Sequence, residues 1–266
     1  MRGGLRGKRI VNTRAEHQAE ALDILLRANG AEPLSYPCIA IVPPDDTTML
    51  DDMLYEIVSG RFDWLILTST NTVLILGERL QALGLSLTGA SNLKTAAVGP
   101  VTADAARQSL AIEIELLPDR YVAEALADTI KVSSGTRIAL PQSAISRPVL
   151  RDQLCAAGSD VAQVTAYQTV CGVGGVDLAH LLSEQVVDAV VFTSSSTVVN
   201  CVKRMKREGG KFDDLGAVSI ACIGPRTAET ARELGLEISV MPADHTLDGL
   251  VEGLEAHFSG IRTGVN

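Results

Sequence analysis

A chain of 266 residues, 46% hydrophobic and 3% aromatic, can bury the cores of two ordinary domains, and those cores must be aliphatic and Ala-rich. Such a composition suits α/β layers better than a β-sandwich. A formal charge of −9 argues against a surface that tracks nucleic-acid phosphates, and no apolar run reaches the roughly 18 residues of a membrane span.

The first short apolar run, "RIVNT" (9–13), predicts a strand, followed by an amphipathic helix over 15–29 that stops at Gly30. Residues 31–43 show no helical period and are too long for a simple strand of one small sheet, so they read as a connector. "WLILTS" (64–69) predicts a strand, with a helix over 71–83 ending at Gly84. "TAAVG" (95–99) is a third strand, followed by helices over 101–109 and 121–131. "RIAL" (137–140) is a fourth, with a helix over 146–157 before Gly158. Residues 160–170 read as a second connector, extended and paired with the first. "CGVGGV" (171–176) reads as a hinge rather than a phosphate cradle, ahead of a helix starting near Asp177. The strands "AVVFTS" (189–194) and "SIACIG" (219–224) follow, with helices over 196–208, 225–234 and 246–258. Short continuous apolar runs are strands buried on both faces, and their alternation with helices means βαβ crossovers and parallel sheets.

The chain repeats itself out of order. "LTSTNTV" (67–73) returns as "FTSSSTV" (192–198), and "AAVGPVTADAAR" (96–107) as "ACIGPRTAETAR" (221–232). Gly99 and Gly224 stand 125 positions apart, as do Thr68 and Thr193. A second pair, "GKRIVNT" and "GTRIALP", starts at Gly7 and Gly135, 128 positions apart. The order is therefore A, B, A′, B′. Two connectors mean two crossings between domains. That predicts a discontinuous domain of 1–35 plus 172–266, a contiguous domain of 44–160, and connectors at 36–43 and 161–171. Tandem domains A–B and A′–B′ are the alternative.

In open parallel sheets ligands bind beyond the carboxyl ends of the strands. Thr68, Ser69, Thr193, Ser194 and Ser195 lie there, with the Gly-Pro-x-Thr turns at Gly99 and Thr102 and at Gly224, Arg226 and Thr227. Glycine permits a tight turn, proline suits the first helical position, and free N–H groups at a helix start attract anions. Each Ser or Thr can instead be a plain helix cap. Arg14, Arg147 and Arg226 can grip carboxylates in a bidentate manner or lie on the surface. Tyr167, in "VTAYQTV", can donate a proton or pack at the domain junction. The four histidines are scattered and none ends a strand. There is no H-E-x-x-H, G-x-S-x-G, Walker or G-x-G-x-x-G pattern, so metal and nucleotide chemistry are not expected. Five cysteines without C-x-x-C spacing read as free packed thiols, and with no signal peptide the expected location is the cytoplasm.

"TSxxxV" after an apolar strand, "GPxTA" opening a helix and "AYQT" on a crossover resemble the uroporphyrinogen-III synthase family, over nearly the whole chain. The resemblance implies two doubly wound parallel-sheet domains facing a cleft, joined by a two-stranded connector that lets them close and reopen. It implies a lyase that closes linear hydroxymethylbilane to uroporphyrinogen III, inverting the last pyrrole ring and losing water, with no cofactor. By motif, Tyr167 matches the tyrosine proposed to assist loss of the hydroxyl. Thr227 matches a threonine thought to bind the tetrapyrrole's carboxylates, and Thr68, Ser69, Thr193, Ser194 and Ser195 match the two "TS" loops. Arg14 matches "TR" of the family's opening "TRP", with Ala15 in place of the proline. Gln142 stands where many relatives carry arginine, with Arg147 nearby. The expected partner is the linear tetrapyrrole, with a transient contact to hydroxymethylbilane synthase and a monomeric chain. The alternatives are a hinged two-domain ligand-binding protein and a regulatory relative without turnover.

Overall fold

The computed structural model describes residues 3–90 and 92–260. In chain order the elements are β1 (Arg9–Asn12), α1 (Glu16–Ala28), β2 (Glu32–Ser35), β3 (Ile39–Val42), α2 (Thr48–Val58), β4 (Trp64–Leu67), α3 (Thr70–Leu83), β5 (Lys94–Ala97), α4 (Pro100–Leu110) and α5 (Ala123–Thr129). The order continues with β6 (Arg137–Ser143), α6 (Val149–Ala156), β7 (Asp160–Cys171), α7 (Leu178–Ser183), β8 (Ala189–Phe192), α8 (Ser195–Arg207), α9 (Phe212–Leu215), β9 (Ser219–Cys222), α10 (Pro225–Glu233) and α11 (Leu247–Phe258). Two units form: one runs to Ala40 and resumes at Val170, and the other spans Ile41–Thr169. They are called unit 1 and unit 2 below.

Unit 1 is built on a sheet of order β2-β1-β8-β9, with every strand pair parallel. Side chains alternate between its faces. Val11, Val190, Phe192 and Ile220 pack on one side with Val198 and Cys201 of α8 and Ala228 of α10. Ile10, Ala189, Val191 and Ala221 pack on the other with Leu22 and Leu26 of α1 and Leu250 of α11. Because both faces are covered, the strands read as unbroken apolar runs. Each such leucine gains about 1.5–3 kcal/mol from burial.

Unit 2 repeats the plan on the sheet β3-β7-β6-β4-β5. Leu65, Leu67, Ala97 and Ala139 face α2, α3 and α4, while Trp64, Ile66, Ile138 and Leu140 face α5 and α6. The doubly wound α/β class expected from alternation is the class observed.

Several local expectations change. Residues 31–43 and 160–170 are extended, β3 and β7 within them pair as neighbouring strands as expected, and the units divide inside both; beyond that expectation they are also sheet strands. β2 pairs with β1, and β7 runs parallel to β6 from Arg137–Asp160 through Ser143–Tyr167. An edge strand and a long strand with one covered face carry too few apolar residues to announce themselves. α2 is an addition to the predicted elements, although Leu50, Met53, Leu54 and Ile57 form its buried stripe at helical spacing. Two helices are shorter than expected. α5 begins only at Ala123, since Val122 is extended, and α6 begins at Val149, since Ser146 and Arg147 precede Pro148.

Two of the three glycines of 171–176, Gly172 and Gly175, are packed closely on backbone. A Cβ on Gly172 would lie 2.0 Å from the Pro37 carbonyl oxygen, and one on Gly175 2.1 Å from that of Ser35. The buried Arg204 of α8 fastens the same spot. It donates to the carbonyls of Pro37 (2.7 Å) and Gly174 (2.5 Å), and its guanidinium lies 3.8 Å from the Tyr36 ring centroid. Glu208 completes the cluster, accepting from Arg204 Nε (2.7 Å) and from the Tyr36 hydroxyl (2.8 Å). Desolvation and that carboxylate push the Tyr36 phenol well above its ordinary pKa.

Candidate functional site

The carboxyl edge of the unit 2 sheet collects the ends of β4, β5 and β6. Beyond β4, Ser69 caps α3, its Oγ accepting from the Asn71 N–H at 3.2 Å. The Tyr167 hydroxyl, carried on β7, donates to the same oxygen at 3.3 Å. The Tyr167 ring is 8% exposed and belongs to the core, so only its hydroxyl is available for chemistry. Ser69 therefore accepts twice and keeps its own O–H proton for an outside acceptor. Thr68 is half-buried beside it. Thr72 lies one turn into α3 with its Oγ1 buried and without a hydrogen bond.

Beyond β5, Gly99 caps α4 and Thr102 is buried at its third position. Gly99 has φ −161°, which any residue adopts. Its lack of a side chain matters for another reason: a Cβ there would meet the Tyr121 side chain at 3.4 Å. Near the end of β6, Gln142 is 4% exposed and accepts from Gln163 Nε2 at 3.2 Å. Arg147 is 73% exposed and engaged with Glu124 at 3.0 Å, so it does not join the buried group.

Unit 1 offers a matching edge. Ser194 caps α8 in a reciprocal box with Thr197, each side chain bonded to the other's backbone N–H. Ser195 donates to the carbonyl of Arg226 at 3.2 Å and accepts from Thr230 at 2.8 Å, joining the starts of α8 and α10. Thr193 is half-buried, and Thr227, the counterpart of Thr102, is 5% exposed. Gly224 again has extended backbone, φ −167°, and a Cβ there would meet the His245 ring at 3.3 Å. Thus neither Gly-Pro turn uses the special backbone freedom expected of its glycine; Tyr121 packs beside Gly99 and the His245 ring beside Gly224.

At the end of β1, Arg14 donates through Nε to the Gln18 carbonyl at 2.8 Å, and its backbone N–H donates to Asn12 Oδ1 at 3.1 Å. Burial pulls its pKa down, so an anion arriving there would meet a guanidinium short of solvation. Arg226 is exposed. Burial raises the thiols of Cys38 and Cys222, the latter to about 12, which leaves both as unreactive core groups. Among the described residues, no group of three His, Cys, Asp or Glu side chains is placed to hold a metal ion.

Sequence reasoning misses Tyr121 and His245. It puts Tyr121 inside a helix, and it passes over His245 because that residue ends no strand. They lie 124 positions apart, one short of the repeat's 125, so the repeat does not mark them; each packs beside one of the two equivalent glycines.

Known proteins share this organisation. A family model described as uroporphyrinogen-III synthase HemD matches residues 20–252. A uroporphyrinogen-III synthase from Synechococcus elongatus is 33% identical over 94% of this chain and 95% of its own length. The chloroplastic uroporphyrinogen-III synthase of Oryza sativa is 26% identical over 92% of this chain and 79% of its own. Among solved structures, a mutant uroporphyrinogen III synthase from the extremely thermophilic bacterium Thermus thermophilus superposes with a TM-score of 0.61. The match covers 96% of this chain and 100% of that one at 21% identity. The enzyme from Helicobacter pylori gives 0.56 at 14% identity, covering 92% and 97%. Those two likenesses speak to the fold.

Proposed function

Because the chain belongs to the uroporphyrinogen-III synthase family, we propose that it closes hydroxymethylbilane to uroporphyrinogen III with Tyr167 and Ser69 assisting loss of the hydroxyl. The reaction is that of a cyclising lyase. The last pyrrole ring is inverted and water is lost.

The substrate is already reactive. Its pyrroles are electron-rich, its hydroxymethyl group leaves readily, and unassisted closure gives the uninverted isomer. The protein therefore has to assist one departure and hold one geometry. The observation that carries the reading is the Tyr167–Ser69 hydrogen bond. As hydroxyl leaves the substrate it needs a proton. The Ser69 O–H can supply it while Tyr167 replaces it along the 3.3 Å contact, a two-hydroxyl relay without histidine or metal.

Anchoring falls to the helix starts. The N–H groups at the starts of α3, α4, α8 and α10 that these caps leave over attract carboxylates. Thr68, Thr102, Gln142, Arg147, Thr193, Ser195, Thr227, Arg14 and Arg226 are proposed as the substrate-binding set around them. Arg147 reaches that role only by giving up Glu124.

We place the reaction in the cytoplasm. The free thiols, including the exposed Cys155, suit a reducing compartment. A monomer that meets hydroxymethylbilane synthase transiently limits spontaneous loss of substrate to the uninverted isomer. Product analysis tests the function. Hydroxymethylbilane is generated in situ by its synthase, this protein is added, the products are oxidised, and isomers I and III are separated. Predominant isomer III is expected; isomer I alone from folded protein ends the reading.

A further inference from the structure

Unit 2 holds a cavity of about 450 Å³ at the amino ends of β4, β5 and β6, the end of its sheet opposite to the Tyr167–Ser69 pair. The repeat shows why it is open. Lys94 and Thr136, which line it, correspond to Ser219 and Lys8 of unit 1 by the offsets of 125 and 128. In unit 1 the last turn of α11 covers both counterparts. The Ser219 hydroxyl is hydrogen-bonded to His257 Nε2 at 2.9 Å, and Lys8 Nζ lies 4.9 Å from the Phe258 ring centroid. In unit 2, α5 starts 124 positions before α11 but has 7 residues against 12. It stops at Thr129, and residues 130–136 lead the chain directly into β6. In unit 1 the end of α11 and the segment before β1 are separate stretches of chain, so α11 keeps its last turn. The same place is therefore filled in one copy and open in the other.

The opening is lined mainly by polar and charged groups. Lys94 and Lys131 are exposed and have no carboxylate partner among the described ion pairs. Lys94 Nζ stays at the wall, 5.7 Å from the Trp64 ring centroid. The one carboxylate there, Asp63, accepts from the Arg137 backbone N–H through Oδ2 at 2.8 Å, which leaves Oδ1 to accept from a hydroxyl. Asn92 and Ser134 add neutral hydrogen-bonding groups. Two ammonium groups suit a doubly charged phosphate, while a carboxylate, an amide and a hydroxyl suit the hydroxyls of a larger body. A lone inorganic ion would occupy only part of the volume. We propose that this cavity binds a small phosphate monoester with a hydroxylated body, a sugar phosphate in class. Lys94 and Lys131 hold its phosphate, and Asp63, Asn92 and Ser134 meet its hydroxyls. The site lies within unit 2 and does not depend on the activity proposed above. With a formal charge of −9 the chain as a whole repels anions, so the attraction is local to the two ammonium groups and screened by salt.

Trp64 is the single tryptophan of the chain and lines the cavity, so its fluorescence reports occupancy. The full-length protein is titrated with glucose 6-phosphate, with inorganic phosphate and with glucose, and calorimetry on the same solutions gives a reading that does not depend on the indole. Glucose 6-phosphate is expected to bind saturably with a Kd between roughly 10 μM and 1 mM, and roughly tenfold or more tighter than inorganic phosphate or glucose. Lys94→Met and Lys131→Met should each raise that Kd on the order of tenfold. Both positions are exposed, so folding is spared. Added KCl should weaken binding to the wild-type protein far more than to the double variant. Absence of saturable binding up to about 10 mM glucose 6-phosphate in both measurements overturns the proposal. Equal affinity for inorganic phosphate overturns the hydroxylated body, and equal affinity for glucose overturns the phosphate. Binding that survives both lysine substitutions puts the ligand elsewhere and overturns the site.

Discussion

Thr72 and Thr197 sit at the same place in duplicated helices, yet their hydroxyls meet different fates. Thr197 completes a cap with Ser194, whereas Thr72 is buried without a partner because Ser69 has turned to Asn71 and Tyr167. Thr197→Val should cost about 1 kcal/mol, the value of a cap. Thr72→Val removes a desolvated hydroxyl and should gain about 1 kcal/mol. Urea melts of the two variants, with opposite midpoint shifts, check this asymmetry. Tyr167→Phe keeps the packed ring and deletes the donor to Ser69. Turnover should fall severalfold or more while the melting temperature changes little; an unchanged rate takes Tyr167 out of the mechanism. The duplicated serines and threonines are legible in the sequence because strand ends repeat as strings. Tyr121 and His245 are not, because what marks them is contact with a glycine about twenty residues earlier, and distance in sequence hides it.

Helices and strands bounded by strong signals are legible element by element. Capping serines, Gly-Pro starts and glycine stops all act within one turn, so α3, α4, α8 and α10 lie where they are expected. β2 and β7 read as connectors, because a strand's sheet partner is a long-range fact. In the glycine run 171–176 the sequence likewise hides what Gly172 and Gly175 answer to, the backbone at Pro37 and Ser35. Gly175→Ala combines φ +75° with a Cβ at 2.1 Å from a carbonyl oxygen, and should cost more than about 3 kcal/mol by thermal or urea unfolding. Between α2 and α3, Asp51 accepts from Arg79 Nε and Nη2 at 2.9 and 2.7 Å. Desolvation pushes the Asp51 carboxyl up, but the hydrogen bonds from Arg79 and Thr47 and the Arg79 charge outweigh it and hold the carboxyl below its usual range. A lowered carboxyl stabilises the fold above its unfolded value of about 4, and that support disappears as pH falls through the lowered folded value. Asp51→Asn should therefore destabilise the protein at pH 7 and narrow its difference from wild type at the acid end of a pH–stability curve.

On the scale of the molecule, unit 1 is assembled from both flanks of the chain and unit 2 from its middle. β1 has its central neighbour in β8, with Val11 opposite Val190. During synthesis, β1 emerges with Ile10 and Val11 and has only β2 to pair with. Its other side stays open until about 180 more residues are made, roughly 10–40 s at ordinary elongation rates. Unit 2 has all of its strands by Cys171, 18 residues before β8 begins. The order of assembly is thus written into the topology: the middle of the chain matures first, and the opening segment waits as a half-finished sheet. Nascent chains stalled before β8 should show protease-resistant unit 2 and a cleavable opening segment. The segment from Arg9 to Ser35 is the part of this protein most in need of a chaperone's cover while it is being made.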